Sequence, residues 1–262
     1  NDLFDLLDDN TVTILFAGVG RKKSGDENYD FVPNKNFYYL TGIKQENSIL
    51  MLVKNDDEKM EYLFIDEQDE KIEKWTGYKL SHKEAKETSG IGNVFLRNTF
   101  DGKLLAFFNE NEKNYEPITK FYLDLENELK IGECKSTQQY KKELEVVHKL
   151  EVKDVHDLIM SMRMVKSDAE VEMIREAIAS TELGLKNALL NLAPGKYEYN
   201  LRNIFNYTIY EDQDASLAFS SIVAAGKNGV ILHYPSQKDQ LKDGDLVLFD
   251  VGAAKDFYCG DI

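Results

Sequence analysis

Cysteine is nearly missing from this chain. There are two in 262 residues, Cys134 and Cys259, and they form no CxxC pair. That excludes a disulfide framework and points to a reducing compartment, the cytoplasm. Basic residues are a minority, 32 Lys and Arg against 47 Asp and Glu, for a net charge of −15. A surface of that sign repels phosphate backbones and excludes non-specific nucleic-acid binding. Long apolar runs are absent too. Residues 49–53 are far short of the ~20 residues that cross a bilayer, so no membrane span or signal peptide is read. Four prolines leave no Pro-rich linker. No G-x-S-x-G nucleophile elbow occurs. Gly18-Val19-Gly20 lacks the third glycine and the acidic partner of a dinucleotide fold.

What is present is globular. Hydrophobic residues make up 42% and charged residues 30%, in a length of roughly two domains at ~150 residues each. Residues 12–19, 36–41, 49–53, 62–65 and 104–108 are rich in β-branched and aromatic side chains and read as strands. Residues 81–88 and 117–129 carry helical spacing, the latter through Ile118, Phe121, Tyr122, Leu125 and Leu129. Strands mixed with helices predict an α/β domain. Ser167 and Glu170 form an S-x-x-E capping box. The helix it opens carries Val171, Ile174, Ile178, Thr181, Leu185 and Leu189 along one face and ends before Pro194. A second helix is expected over residues 197–210. The domain boundary is placed at residue 164, giving domains 1–164 and 165–262.

The chemistry is concentrated in the last fifty residues. Residues 218–225 read as a strand, 230–234 as a short apolar segment, and 246–252 as a strand covered on both faces. Asp250 then lies in a buried run, where a carboxylate needs a cation or strong donors. A hairpin with Lys255-Asp256 at its tip sets Asp250 directly opposite Asp261. At ~4.5–5.5 Å between Cβ atoms the two charges repel, and a metal between them turns repulsion into ligation. All-oxygen ligation suits Mn or Mg; added imidazole admits Zn, Co or Fe. On spacing alone, a capping Asp250 and an exposed Asp261 explain the pattern equally well. Taken alone, His233 reads as a hydrogen-bonded core histidine and Cys259 as a small core residue. His82, His148 and His156 read as surface or packing residues.

The order of motifs is familiar. Residues 218–226, Leu232-His233-Tyr234, residues 243–253 and Gly260-Asp261-Ile262 resemble the start of the pita-bread metallopeptidase domain, and residues 162–167 resemble the segment that enters it. Asn36-Phe37-Tyr38-Tyr39-Leu40-Thr41-Gly42 and Trp75-Thr76-Gly77-Tyr78-Lys79-Leu80 resemble the N-terminal domain of Xaa-Pro aminopeptidases. The resemblance implies an α/β N-terminal domain of the creatinase/aminopeptidase P type, a mixed sheet with flanking helices, followed by the first part of an α+β pita-bread domain. It implies a two-metal site, most often manganese with cobalt, zinc or iron as alternatives, in which Asp250 and Asp261 are the first two ligands and Asp261 bridges. His233 is implied to face the substrate and stabilise the tetrahedral intermediate without ligating metal. Trp75 is implied, in some relatives, to reach the active site of a neighbouring subunit in a homodimer or homotetramer. The implied substrate is a peptide with proline in second position. One His and two Glu ligands are expected beyond Ile262, which makes this chain an inactive fragment. Prolidase, and a non-catalytic protein-binding module, are the alternatives; retention of Asp250, Asp261 and His233 argues against the module. One departure is residues 43–47, which lack the Glu-Pro common in the family.

Overall fold

The computed structural model describes residues 2–55, 58–108, 118, 120–126, 130, 131 and 135–262. The chain divides into two compact units, Asn1–Met164 and Val165–Ile262.

The first unit is built on a six-stranded mixed sheet. Its strands are β1 (Thr11–Phe16), β2 (Ile49–Asn55), β3 (Glu58–Ile65), β4 (Asn93–Leu96), β5 (Lys120–Leu123) and β6 (Glu151–Asp154), in spatial order β6-β5-β1-β2-β3-β4. β1, β2 and β3 pair antiparallel; β1 with β5, β5 with β6, and β3 with β4 pair parallel. Alternate side chains leave the sheet on opposite faces, and both faces are covered. Leu15, Leu50, Leu52 and Leu63 pack beneath helices α1 (Lys35–Thr41), α3 (His82–Ser89) and α6 (His156–Met164). Ile14, Met51, Phe64 and Phe121 pack beneath α4 (Phe100–Phe108) and α5 (Thr137–Val146). Helix α2 (Glu70–Thr76) carries Trp75, which is 91% exposed.

Three expected elements have the wrong type. Residues 36–41 are expected as a strand yet form α1. Asn34 caps its start by accepting from Phe37 N, Gly42 ends it at φ 67°, and Phe37 and Thr41 fall on one buried face. Caps override the β preference of Phe-Tyr-Tyr. Residues 104–108 belong to α4, because Phe100 and Leu104, one turn apart, both enter the core. The helix expected over 117–129 is instead the strand β5. Its neighbours β1 and β6 cover both edges, and Phe121 and Leu123 bury on one face while Tyr122 buries on the other. Residues 117, 119 and 127–129 of that expectation lie outside the described residues. So does Cys134.

The second unit begins with α7 (Asp168–Leu190). Ser167 and Glu170 make both capping-box hydrogen bonds. The buried face of α7 agrees only in part with the stripe expected: Thr181 is buried and Val171, Ile174 and Leu185 are half-buried, but the fully buried positions are small residues. They are Ala177, Thr181, Gly184 and Ala188, while Ile178 and Leu189 are exposed. A Cβ on Gly184 would lie 2.8 Å from the ring of Phe205, so α8 (Glu198–Tyr210) crosses α7 at a distance only glycine permits. The strands are β7 (Ala215–Leu217), β8 (Ile222–Ala225), β9 (Val247–Asp250), β10 (Ala253–Lys255) and β11 (Tyr258–Cys259). β7-β10-β11 form one antiparallel sheet and β8-β9 another. Residues 218–221 thus separate two strands rather than continuing one. β9 is covered on one face only: Leu248 is exposed, as is Leu246 just before the strand, and among the described residues nothing encloses them. No helix among the described residues is long and apolar enough to cross a membrane.

Candidate metal centre

The register of the last hairpin decides how the two aspartates meet. Ala254 pairs with Cys259 and Lys255 with Tyr258, so the tip is Asp256-Phe257, one residue later than expected. Both tip residues have positive φ, 46° and 69°, which gives a two-residue mirror-image turn whose twist matches the strands. Beyond the named strands the pairing continues. Gly260 N donates to Ala253 O at 2.8 Å, and Val251 and Ile262 exchange hydrogen bonds of 3.0 and 3.2 Å. Gly252 therefore stands opposite Asp261. Asp250, two residues back on the same face, is diagonal to it rather than directly across. Diagonal Cβ atoms lie at up to ~7–8 Å, which eases the repulsion of a directly opposed pair.

Glycine makes this pairing possible. A Cβ on Gly252 would collide with the Gly260 carbonyl oxygen and lie 2.9 Å from the ring of Phe219. Gly260 in turn lies against α7, where a Cβ would be 2.8 Å from Thr181 Oγ1 and 3.0 Å from Ala177 O. Thr181 Oγ1 donates to Ala177 O at 2.8 Å and accepts from Ala253 N at 2.9 Å, tying the hairpin to the helix. Tyr258 OH donates to Glu170 at 2.9 Å. Tyr258 and Gly260 thus face α7, and Cys259 between them points away. It is an exposed free thiol, not the core residue expected.

Asp250 is half-buried rather than enclosed, because β9 has one bare face, and Asp261 is exposed. Neither carboxylate has a hydrogen bond or ion pair among the described residues. Two unpaired, hard oxygen donors on one face fit a divalent cation in kind. They are not a complete shell: among the described residues no group of three or more His, Cys, Asp or Glu side chains could hold a metal.

His233 lies in the segment between β8 and β9. It is exposed, and with Asp250, Phe219, Arg202, Asn206 and Gln237 it lines a cavity of about 750 Å³. The segment 230–234 is not a uniform apolar stretch, since Leu232 is 89% exposed while Tyr234 is buried. Burial, and then the Glu198 carboxylate to which it donates, push the Tyr234 phenol above its usual range. Glu198 was not singled out by sequence. A glutamate at a helix start reads as a favourable dipole partner, and its burial is visible only in three dimensions. His156, expected as a surface or packing residue, is half-buried. Its Nδ1 lies 3.2 Å from buried Asp124, which Asn34 and Asn36 also reach.

Against known proteins, residues 1–115 match the family described as aminopeptidase P, N-terminal domain, and residues 172–262 match metallopeptidase family M24. Xaa-Pro aminopeptidase of Haemophilus influenzae is 26% identical over 260 residues, 99% of this chain and 57% of that protein. The Escherichia coli enzyme of the same name is 26% identical over 99% of this chain and 58% of its own length. Among solved structures, a Bacillus anthracis protein provisionally assigned as an aminopeptidase P is 38% identical at a TM-score of 0.90, covering 99% of this chain and 61% of that one. A zinc-substituted Escherichia coli aminopeptidase P shares the fold at a TM-score of 0.84 and 24% identity. The chain spans somewhat over half the length of each of these relatives.

Proposed function

Since this chain carries an aminopeptidase P N-terminal domain and part of an M24 pita-bread metallopeptidase domain, we propose that the protein is a metal-dependent Xaa-Pro aminopeptidase. It releases the first residue of peptides with proline in second position. The observation that carries this reading is the unpaired aspartate pair on one hairpin face, with His233 and Asp250 lining the same cavity. Asp250 and Asp261 would hold divalent ions, with manganese the first choice and cobalt, zinc or iron as alternatives; zinc at least can occupy an aminopeptidase P. Such ions lower the pKa of bound water, supplying a nucleophile at neutral pH. His233 donates a hydrogen bond to the carbonyl oxygen of the scissile bond as its charge grows, where such donors act most strongly. Trp75, exposed on α2, is free to contact substrate in a neighbouring copy of a homodimer or homotetramer.

Asp250 and Asp261 are two donors, short of a closed shell, so these 262 residues by themselves are expected to hydrolyse nothing. The test compares this chain with the protein expressed from its whole reading frame. Release of the N-terminal residue from a Gly-Pro-type peptide is followed with added manganese. Turnover by the longer protein alone is the expected result. Turnover by both would refute the incomplete-shell reading, and turnover by neither would refute the peptidase.

A further inference from the structure

Glu198 is the second unit's most deeply enclosed charge. Its side chain is fully buried, and among the described residues no lysine, arginine or histidine pairs with it. A buried carboxylate without a cation persists only if its lone pairs are met by donors. Four donors meet it. Oε1 accepts from Ala225 N at 2.8 Å and Asn228 Nδ2 at 2.9 Å. Oε2 accepts from Tyr234 OH and Asp239 N, both at 3.0 Å. The first turn of the thirteen-residue helix α8 adds a favourable dipole.

All four donors belong to one segment, residues 225–239. Two precede His233 in the chain and two follow it, and Tyr234 is its immediate neighbour. Gln237 ties the same segment to β8, accepting from Val223 N at 3.1 Å and donating to Ser221 O at 3.0 Å. His233 itself has no hydrogen-bond partner among the described residues, though it lines the cavity with Asp250. Its placement is therefore set by the loop that carries it, and that loop is gathered onto one carboxylate.

We propose that Glu198 is a positioning residue: it fixes the 225–239 loop so that His233 stands at the cavity beside Asp250. The proposal deepens the peptidase reading and rests on it. A merely structural glutamate would lower stability without acting through His233, and a double-mutant cycle separates the two.

In the protein expressed from its whole reading frame and loaded with manganese, Glu198→Gln keeps the side chain's shape. It sets an amide N–H against two of the four donors. The expected result is a kcat lowered about tenfold or more, the scale of a small misplacement, with KM and bound manganese within about twofold. In a His233→Ala background the same substitution should cost less than about threefold, because the group it positions is gone. Equal costs in both backgrounds, or an unchanged kcat, would overturn the proposal. Tyr234→Phe, which removes one donor beside His233, repeats the cycle should Glu198→Gln fold poorly. Amide hydrogen exchange on this chain needs no activity. Ala225 and Asp239 should lose protection in Glu198→Gln while Ala253 and Gly260 keep theirs, and retained protection at the first pair would overturn the proposal. If the unsubstituted protein hydrolyses no Xaa-Pro peptide, the peptidase reading fails while the exchange measurement still decides whether Glu198 holds the loop.

Discussion

Substituting Gly252 by alanine tests the pairing that brings Asp250 and Asp261 to one face. Its φ is not in the left-handed region, so alanine can adopt the backbone, and the whole effect comes from space. The added methyl would collide with the Gly260 carbonyl oxygen and press on Phe219 at 2.9 Å. The Gly260 carbonyl cannot yield freely, since Gly260 is itself wedged against Ala177 and Thr181. Overpacking of one methyl in a tight site costs ~1–3 kcal/mol. If the strand withdraws instead, the Gly260–Ala253 hydrogen bond and the Val251–Ile262 pair weaken, at ~1 kcal/mol each. At its upper end either route gives about 3 kcal/mol. For a unit of this size that lowers Tm by ~12–24 °C, at 4–8 °C per kcal/mol. Scanning calorimetry on the chain reads the transition of the second unit. Gly102→Ala is the control of opposite sign. A methyl there, inside helix α4, meets nothing within 4 Å, and replacing a helical glycine should stabilise by roughly 0.5–1 kcal/mol. A Gly252→Ala chain melting within about 2 °C of the parent would refute the close approach, and with it the diagonal placement of the aspartates.

Thr181→Val keeps the shape but leaves the buried Ala253 N–H unmet; the expected cost is ~1–3 kcal/mol by thermal melt, and an unchanged Tm would show that Thr181 does not tie the hairpin to α7. In the protein from the whole reading frame, Asp261→Asn should lower manganese content, by elemental analysis, more than Asp250→Asn does, and equal losses would remove the bridging role given to Asp261. Asp8 has its pKa lowered to about 2, chiefly by the hydrogen bond from Lys153. A depressed folded-state pKa stabilises above the unfolded value of ~3.9 and is lost as pH falls through about 2. Asp8→Asn should therefore flatten the acid side of a Tm-against-pH profile of the first unit, and parallel profiles would contradict it.

Much of the architecture was legible because burial wrote it in the residues. The runs in β1, β2 and β3 are rich in β-branched and aromatic residues, and they read as strands for that reason. The capping box at Ser167 is local, so four residues suffice to place a helix start. The failures are those where local and tertiary preferences conflict. Phe37-Tyr38-Tyr39 favours a strand by side chain but sits between an N-cap and a left-handed glycine. Tyr122 and Leu125 suggest helical spacing, yet residues 120–123 lie between parallel strands that only the fold brings together. At the site, spacing offered Asp250 and Asp261 as one of two readings, and only the family resemblance picked out His233. The relation of the two aspartates turned on the turn at Asp256-Phe257, which lies one residue later than expected and so shifts the pairing by two, from Asp250 to Gly252 opposite Asp261. Glu198 was illegible because nothing local distinguishes a buried helix-start glutamate from an exposed one.

The stripe partly misread on α7 explains how the aspartates are spaced. Counting large apolar residues picks out Ile178 and Leu189, but approach distance is governed by small ones. Ala177, Thr181, Gly184 and Ala188 leave the helix surface low, so Phe205 of α8 rests on Gly184 while Gly260 of the hairpin rests on Ala177 and Thr181. Asp261 follows Gly260 directly, and Asp250 precedes Gly252 by two residues. The separation of the two carboxylates is thus set by backbone contacts, glycine against carbonyl and glycine against helix, rather than by rotamers of long side chains. Such a frame cannot adjust to a methyl group by turning a side chain. A substitution at Gly252 or Gly260 must move the strand, and moving the strand shifts a carboxylate relative to its partner. Leu248, exposed on the bare face of β9, carries no such constraint and should tolerate change without altering the pair.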